Sequence, residues 1–321
     1  MQKNSDTPAV IVITGPTASG KTRLAIDLAR TLGTEIINAD SRQIYRGIPI
    51  ITAAPTPAQL AEVPHHLVGT LPLEAYYSAA AFERQALDIL KNLLPRTGTA
   101  VVSGGSMMYI CALVNGIDDI PTISAEVRAR VAAIAALPDG RSQLAALLQQ
   151  LDPQFMSTTP DVLNTKRLAH AAEVCLQTGR PYSAYLTGQR KRRPFRTLTF
   201  ALWPERADLY AAINARTRRM LADGMEDEAR RCYPLRHLNS LNTVGFKEWF
   251  TYFDYLGGRL PKKSLPSSTD ALTNPAAVAD RIAKNTRVYA KKQLTWLARD
   301  TNVIRLAPGA DNLRTILSHL H

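Results

Sequence analysis

Cysteine is scarce. The 321 residues hold three, Cys111, Cys175 and Cys232, far apart and without C-x-x-C spacing. That excludes a disulfide framework or a cysteine-built zinc site and points to free thiols in a reducing compartment. No apolar run approaches the roughly 20 residues that span a bilayer, so no membrane partner is expected. The polar stretch Met1–Pro8 leads directly into an apolar run, which argues against a signal peptide and for the cytoplasm. No internal repeat stands out. Acidic residues are few beside basic ones, 27 against 39, giving a net charge of +12. The excess predicts a polyanionic partner larger than one phosphate, with nucleic acid first and a merely basic enzyme as the bland alternative.

Gly15-Pro16-Thr17-Ala18-Ser19-Gly20-Lys21-Thr22 organises the chain. It fits G-x-x-x-x-G-K-[ST] and lies between an apolar strand, Ala9–Ile13, and a helix-forming stretch, Arg23–Leu32, closed by Gly33. Strand, glycine-rich turn and helix wrap backbone N–H groups and a helix N-terminus around a phosphate. Lys21 would place its charge at the terminal phosphate, and the Thr22 hydroxyl would sit on Mg²⁺. What the phosphate is attached to stays open.

A second short strand is expected over Glu35–Ser41, ending in an acid, Asp40, which faces the same crevice. Magnesium partner, general base and helix cap are its three readings. Pro64-His65-His66 has no third ligand nearby and reads as structural. A capped helix is expected from Ser78 to Leu94, then a third strand, Thr99–Ser103, opening onto Gly104-Gly105-Ser106. Three helical stretches follow, 124–137, 142–151 and 161–177, with the basic cluster Arg190–Arg193 behind them. Thr197–Trp203 returns to the sheet, and Leu209–Cys232 reads as one long helix carrying Arg216, Arg218 and Arg219. In the final helix Val278, Ile282, Tyr289 and Trp296 form an apolar stripe, and Arg281, Lys284, Arg287 and Lys291 line another face. The Pro/Ser/Thr-rich stretch around Lys262–Ser268 reads as a flexible loop. The expectation is an α/β fold: a P-loop-type core of mainly parallel sheet flanked by helices (1–120 and 194–321), plus an inserted all-helical domain (121–193).

Together these residues resemble the tRNA dimethylallyltransferase (tRNA isopentenyltransferase) family over nearly the whole chain. The resemblance rests on Gly15–Thr22, Asp40-Ser41-Arg42-Gln43-Ile44-Tyr45-Arg46-Gly47, Val63–Leu67, Gly104–Tyr109, Val244–Glu248 and Asn285–Trp296. It implies transfer of a dimethylallyl group from dimethylallyl diphosphate to N6 of adenosine 37, with the inserted domain gripping the anticodon arm. It implies that Gly15, Pro16, Thr17, Ala18, Ser19, Gly20, Lys21 and Thr22 hold the diphosphate with Mg²⁺ on Thr22, that Arg216 reaches the diphosphate, and that Asp40 is the general base. Thr17, Lys21, Arg216 and Asp40 thus form the catalytic set.

By the same similarity tRNA is contacted by Asp40, Ser41, Arg42 and Gln43, by Ser106 and Arg128, and by Lys166, Arg167 and His170. Asn242, Thr243, Val244, Gly245, Phe246 and Lys247 join them, as do Lys291, Lys292, Gln293, Thr295 and Trp296. Ser106 stands where the family usually has Thr, His170 where a second Arg often follows, and Ala298 in place of a frequent Arg. The protein is expected to act as a cytoplasmic monomer. The rivals are a small-molecule kinase, for which the third strand lacks a terminal acid, a non-catalytic RNA-binding module, and an isopentenyltransferase acting on free adenine nucleotides.

Overall fold

β1 (Ala9–Thr14) is buried at every residue. A strand apolar on both faces belongs in the middle of a parallel sheet covered on both sides. The computed structural model, which describes residues 7–158, 164–259, 274–308 and 311–320, places it there. The other strands are β2 (Ile36–Asn38), β3 (His65–His66), β4 (Thr99–Ser103), β5 (Arg196–Leu202) and β6 (Val303–Leu306). Their order is β3-β2-β4-β1-β5-β6, and every pairing is parallel. β1 runs in register with β4 (Ala9 opposite Thr99) and with β5 (Ala9 opposite Arg196).

The alternation along β1 divides its side chains between two cores. Val10 and Val12 pack with Ile37, Ala100 and Val102 on one face, while Ile11 and Ile13 pack with Val101 and Phe200 on the other. Burying each such side chain fully stabilises the fold by about 1.5–3 kcal/mol. From β1 the chain crosses over β4's place to reach β2, and from β4 it crosses to the far side of β1. The order therefore reverses between β1 and β4, where open α/β sheets form a crevice at the carboxyl ends of their strands.

The helices of this unit are α1 (Lys21–Leu32), α2 (Pro57–Glu62), α3 (Ala79–Thr97) and α4 (Met107–Asn115). The chain divides into two compact units, Met1–Val114 with Arg192–His321, and Asn115–Lys191. The second holds α5 (Ala125–Ala135), α6 (Gly140–Leu151), α7 (Pro153–Thr158) and α8 (Thr165–Thr178) around Val131, Leu144, Leu148, Phe155 and Leu168. Ser124 and Asn164 cap α5 and α8 through their side chains. The first unit resumes with α9 (Arg206–Ala222), α10 (Met225–Cys232), α11 (Phe246–Leu256), α12 (Pro275–Leu297) and α13 (Asn312–Ser318). Among the described residues no helix is long and apolar enough to cross a membrane.

Several expectations change. The single helix over 209–232 is two, because Gly224 (φ 94°) takes a left-handed conformation and starts α10 afresh. α3 continues through Pro95 to Thr97 instead of stopping at Leu94. The buried stripe of α12 runs Val278, Ile282, Thr286, Ala290, Gln293 and Leu297, whereas Tyr289 is 41% exposed. His65 and His66 form an edge strand, with His66 Nε2 2.6 Å from Glu35 Oε2, a structural pairing as expected. The stretch Lys262–Ser268 lies outside the described residues, as does the start of the helix expected from 161.

Candidate active site

The two glycine-rich turns and Asp40 all leave the sheet at one rim. The turn after β1 carries Gly15–Gly20, Asp40 follows β2, and Gly104–Ser106 follow β4. Gly15 has φ 137°, and a Cβ there would lie 2.7 Å from the Leu202 carbonyl at the end of β5. At Gly104 a Cβ would come within 2.1 Å of the Ala39 carbonyl. Both loops are held against the sheet at distances only glycine permits.

Lys21 donates to the Pro16 carbonyl (2.7 Å) inside its own loop. Burial, then the neighbouring Arg216 charge, lowers its ammonium to about 8, with Asp40 partly opposing. Arg216, from α9, donates through Nη2 to the Thr17 hydroxyl at 2.7 Å. Burial pulls its guanidinium below the ordinary arginine value, and Asp40 again opposes. Two buried polar atoms here lack a protein partner, Ser19 Oγ and Arg216 Nε. A hydroxyl and a guanidinium N–H left over beside a buried ammonium are the donors an anion would satisfy.

These groups line a cavity of about 390 Å³ with Thr17–Arg23, Asp40, Gly104, Gly105 and Gln293. A neighbouring cavity of about 340 Å³ adds Ile51, Met220, Val244 and Ile282 to Ser41, Arg42, Asn242, Thr243 and Lys247. Thr17, Asp40, Thr52, Ala53, Arg216 and Tyr289 line both. Asp40 accepts through Oδ1 from the Arg42 N–H (2.9 Å) and the Gln43 N–H (3.4 Å), so it caps the turn while bordering both spaces. Thr52, Ala53 and Tyr289 were not singled out for the site. The signal in reach was helical spacing, since Tyr289 stands four residues before Gln293.

The residues grouped by similarity as tRNA contacts are placed variously. The Arg42 guanidinium donates to the Asn239, Ser240 and Asn242 carbonyls and fixes that segment. Gln43 donates to the Thr52 and Ala53 carbonyls, and Ser106 Oγ accepts from the Ser41 N–H. Gly245 and Phe246 are buried, and the Gly245 N–H donates to Glu248. Asn242 and Lys247 are exposed beside Thr243 and Val244. Lys291, Lys292 and Thr295 face solvent and Trp296 is half-buried, but Gln293 is only 2% exposed. In the helical unit Lys166, Arg167 and His170 share the exposed side of α8, and Arg128 is half-buried on α5.

Parallel strands feeding one glycine-lined, cationic crevice beside a carboxylate define the class: an α/β protein with a P-loop-type site at the carboxyl ends of its strands. The family follows from comparison. Residues 43–300 match the family model described as IPP transferase. A tRNA dimethylallyltransferase from Porphyromonas gingivalis is 46% identical over 94% of each chain. The solved tRNA isopentenylpyrophosphate transferase from Bacillus halodurans aligns with TM-score 0.64 and 28% identity, covering 98% of this chain and 94% of its own. A eukaryotic dimethylallyltransferase acting on tRNA shares the fold at TM-score 0.77 and 23% identity over 97% of this chain and 78% of its own. The chain belongs to the IPP transferase family.

Proposed function

We propose that the protein transfers a dimethylallyl group from dimethylallyl diphosphate to N6 of adenosine 37 of tRNA, as a cytoplasmic monomer. The observation that carries the reading is that Asp40, Thr17 and Arg216 border both the anion cradle and the adjoining, partly apolar cavity.

In the reaction the N6–carbon bond forms as the allylic carbon–oxygen bond breaks, and its electron pair leaves on the diphosphate. Adenine N6 is a poor nucleophile until it sheds a proton, and Asp40 accepts that proton. General bases contribute about 10²–10⁴-fold. Lys21, the cradle N–H groups, Ser19 and Arg216 meet the charge growing on the leaving group, already oriented and shielded from water. Thr22 and Asp40 supply hard oxygen donors at the cradle. Such a sparse set suits Mg²⁺ that takes its remaining ligands from phosphate and water. Bound there, Mg²⁺ would neutralise diphosphate charge. The base must leave its stack, which costs least in an unpaired loop, and basic contacts along the tRNA backbone offset that cost.

The test is incubation with labelled dimethylallyl diphosphate and bulk tRNA, followed by nucleoside analysis. Label appearing in an N6-prenylated adenosine is expected. ATP hydrolysis without such a product would replace this reading with the kinase.

A further inference from the structure

Gln293 is buried in α12, and its side-chain amide is engaged at both ends. Oε1 accepts from the Thr17 N–H at 2.9 Å, and Nε2 donates to the Gly105 carbonyl at 3.0 Å. The fit is tight on the far side, for a Cβ at Gly105 would meet Nε2 at 2.6 Å. Thr17 is held a second time by Arg216 through its hydroxyl. So the first half of the cradle is not open to an anion. Its Thr17 N–H is already taken, and a planar amide occupies the space in front of it, along the wall of the 390 Å³ cavity. The groups without partners, Ser19 Oγ and Arg216 Nε, border the remaining part.

We propose that Gln293 is a positioning and specificity-determining residue that closes one end of the cradle, so that it accepts two linked phosphoryl groups and rejects a third. A phosphoryl group placed where the amide sits would have to displace it and break both hydrogen bonds, leaving the Gly105 carbonyl buried without a donor. A buried polar group left unpaired discriminates more strongly than a missing apolar contact. This feature would turn a loop suited to nucleoside triphosphates into one for a prenyl diphosphate. It rests on the function proposed above for its biological meaning but not for its measurement.

The measurement is calorimetric binding of inorganic diphosphate and inorganic tripolyphosphate to the full chain. The wild type is expected to favour diphosphate by tenfold or more. Gln293→Ala, which vacates the space and frees the Thr17 N–H, should bring the two affinities within about threefold of each other by tightening tripolyphosphate binding. Gln293→Met fills the same space without hydrogen bonds. It should still exclude tripolyphosphate, bind diphosphate several-fold more weakly, and raise KM for the prenyl donor more than it lowers kcat. A ratio unmoved in Gln293→Ala, or a wild type that holds both anions equally, overturns the proposal. Neither result would touch the nucleoside analysis, which tests the proposed reaction separately. Thermal unfolding of both variants identifies loss of fold, and a folded Gln293→Met that admits tripolyphosphate also overturns it.

Discussion

Lys21 is a cation whose charge is unsettled near neutrality. With its ammonium lowered to about 8 by burial first, it is protonated below that pH and progressively neutral above it. A bound diphosphate favours the charged form, so anion affinity is present at pH 7 and falls as pH rises through 8. Isothermal titration should show that fall in the wild type and a flatter profile in Lys21→Arg, whose guanidinium stays charged; parallel profiles would mean that Lys21 does not face the anion. Asp40→Asn keeps an acceptor for the Arg42 N–H while removing the base, so kcat should drop about 10²–10⁴-fold with tRNA affinity retained. Equal losses in binding and turnover would leave Asp40 as a turn cap. Both residues were legible because each belongs to a contiguous motif at a strand end. The bond between Gln293 and Thr17 was not, since it joins positions 276 apart and nothing local announces it.

Among the elements, the loop at 49–54 borders both cavities yet has no strand or helix of its own. Buried Glu228 of α10 holds it, accepting from the Ile50 N–H (2.9 Å) and the Ile51 N–H (2.7 Å). Burial raises this carboxyl above its usual range, with the two N–H groups opposing. Glu228→Ala would leave two inward N–H groups unpaired and should cost about 2–4 kcal/mol in denaturant unfolding. A loss under about 0.5 kcal/mol would show that the loop stands without it. Gly104→Ala should be worse tolerated than Ala at Gly98, where nothing lies within 4 Å of the added carbon; circular dichroism melting of the two variants compares them. The central strands were readable from β-branched runs. β3, two residues long, and β6, four, carry too little pattern to separate from loop. The phase of α12 was misjudged because the polar side chains of Thr286 and Gln293 lie on its buried side.

For the whole molecule, the net charge of +12 and the exposed cations Lys166 and Arg167 of the helical unit make RNA binding testable by charge reversal. Replacing Lys166 and Arg167 together by Glu should raise KM for tRNA about tenfold or more at physiological salt and make it less dependent on salt concentration than in the wild type. KM for the prenyl diphosphate should not move; a shift there would mean that the helical unit also serves the donor. The +12 charge was legible at once, but which cations are spent inside the protein was not: the Arg42 guanidinium, grouped with the tRNA contacts, donates to the Asn239 and Ser240 carbonyls and holds the site's own loop. The sheet has a working rim and an idle one. Helix ends such as Gly33 and Gly98 lie at the idle rim, exposed and just ahead of β2 and β4. That rim lies on the side of the sheet away from the crevice, so a dye or surface anchor placed on an exposed side chain there, and not on the two left-handed glycines themselves, is expected to leave turnover unchanged, which a prenyl-transfer assay of the labelled protein would check.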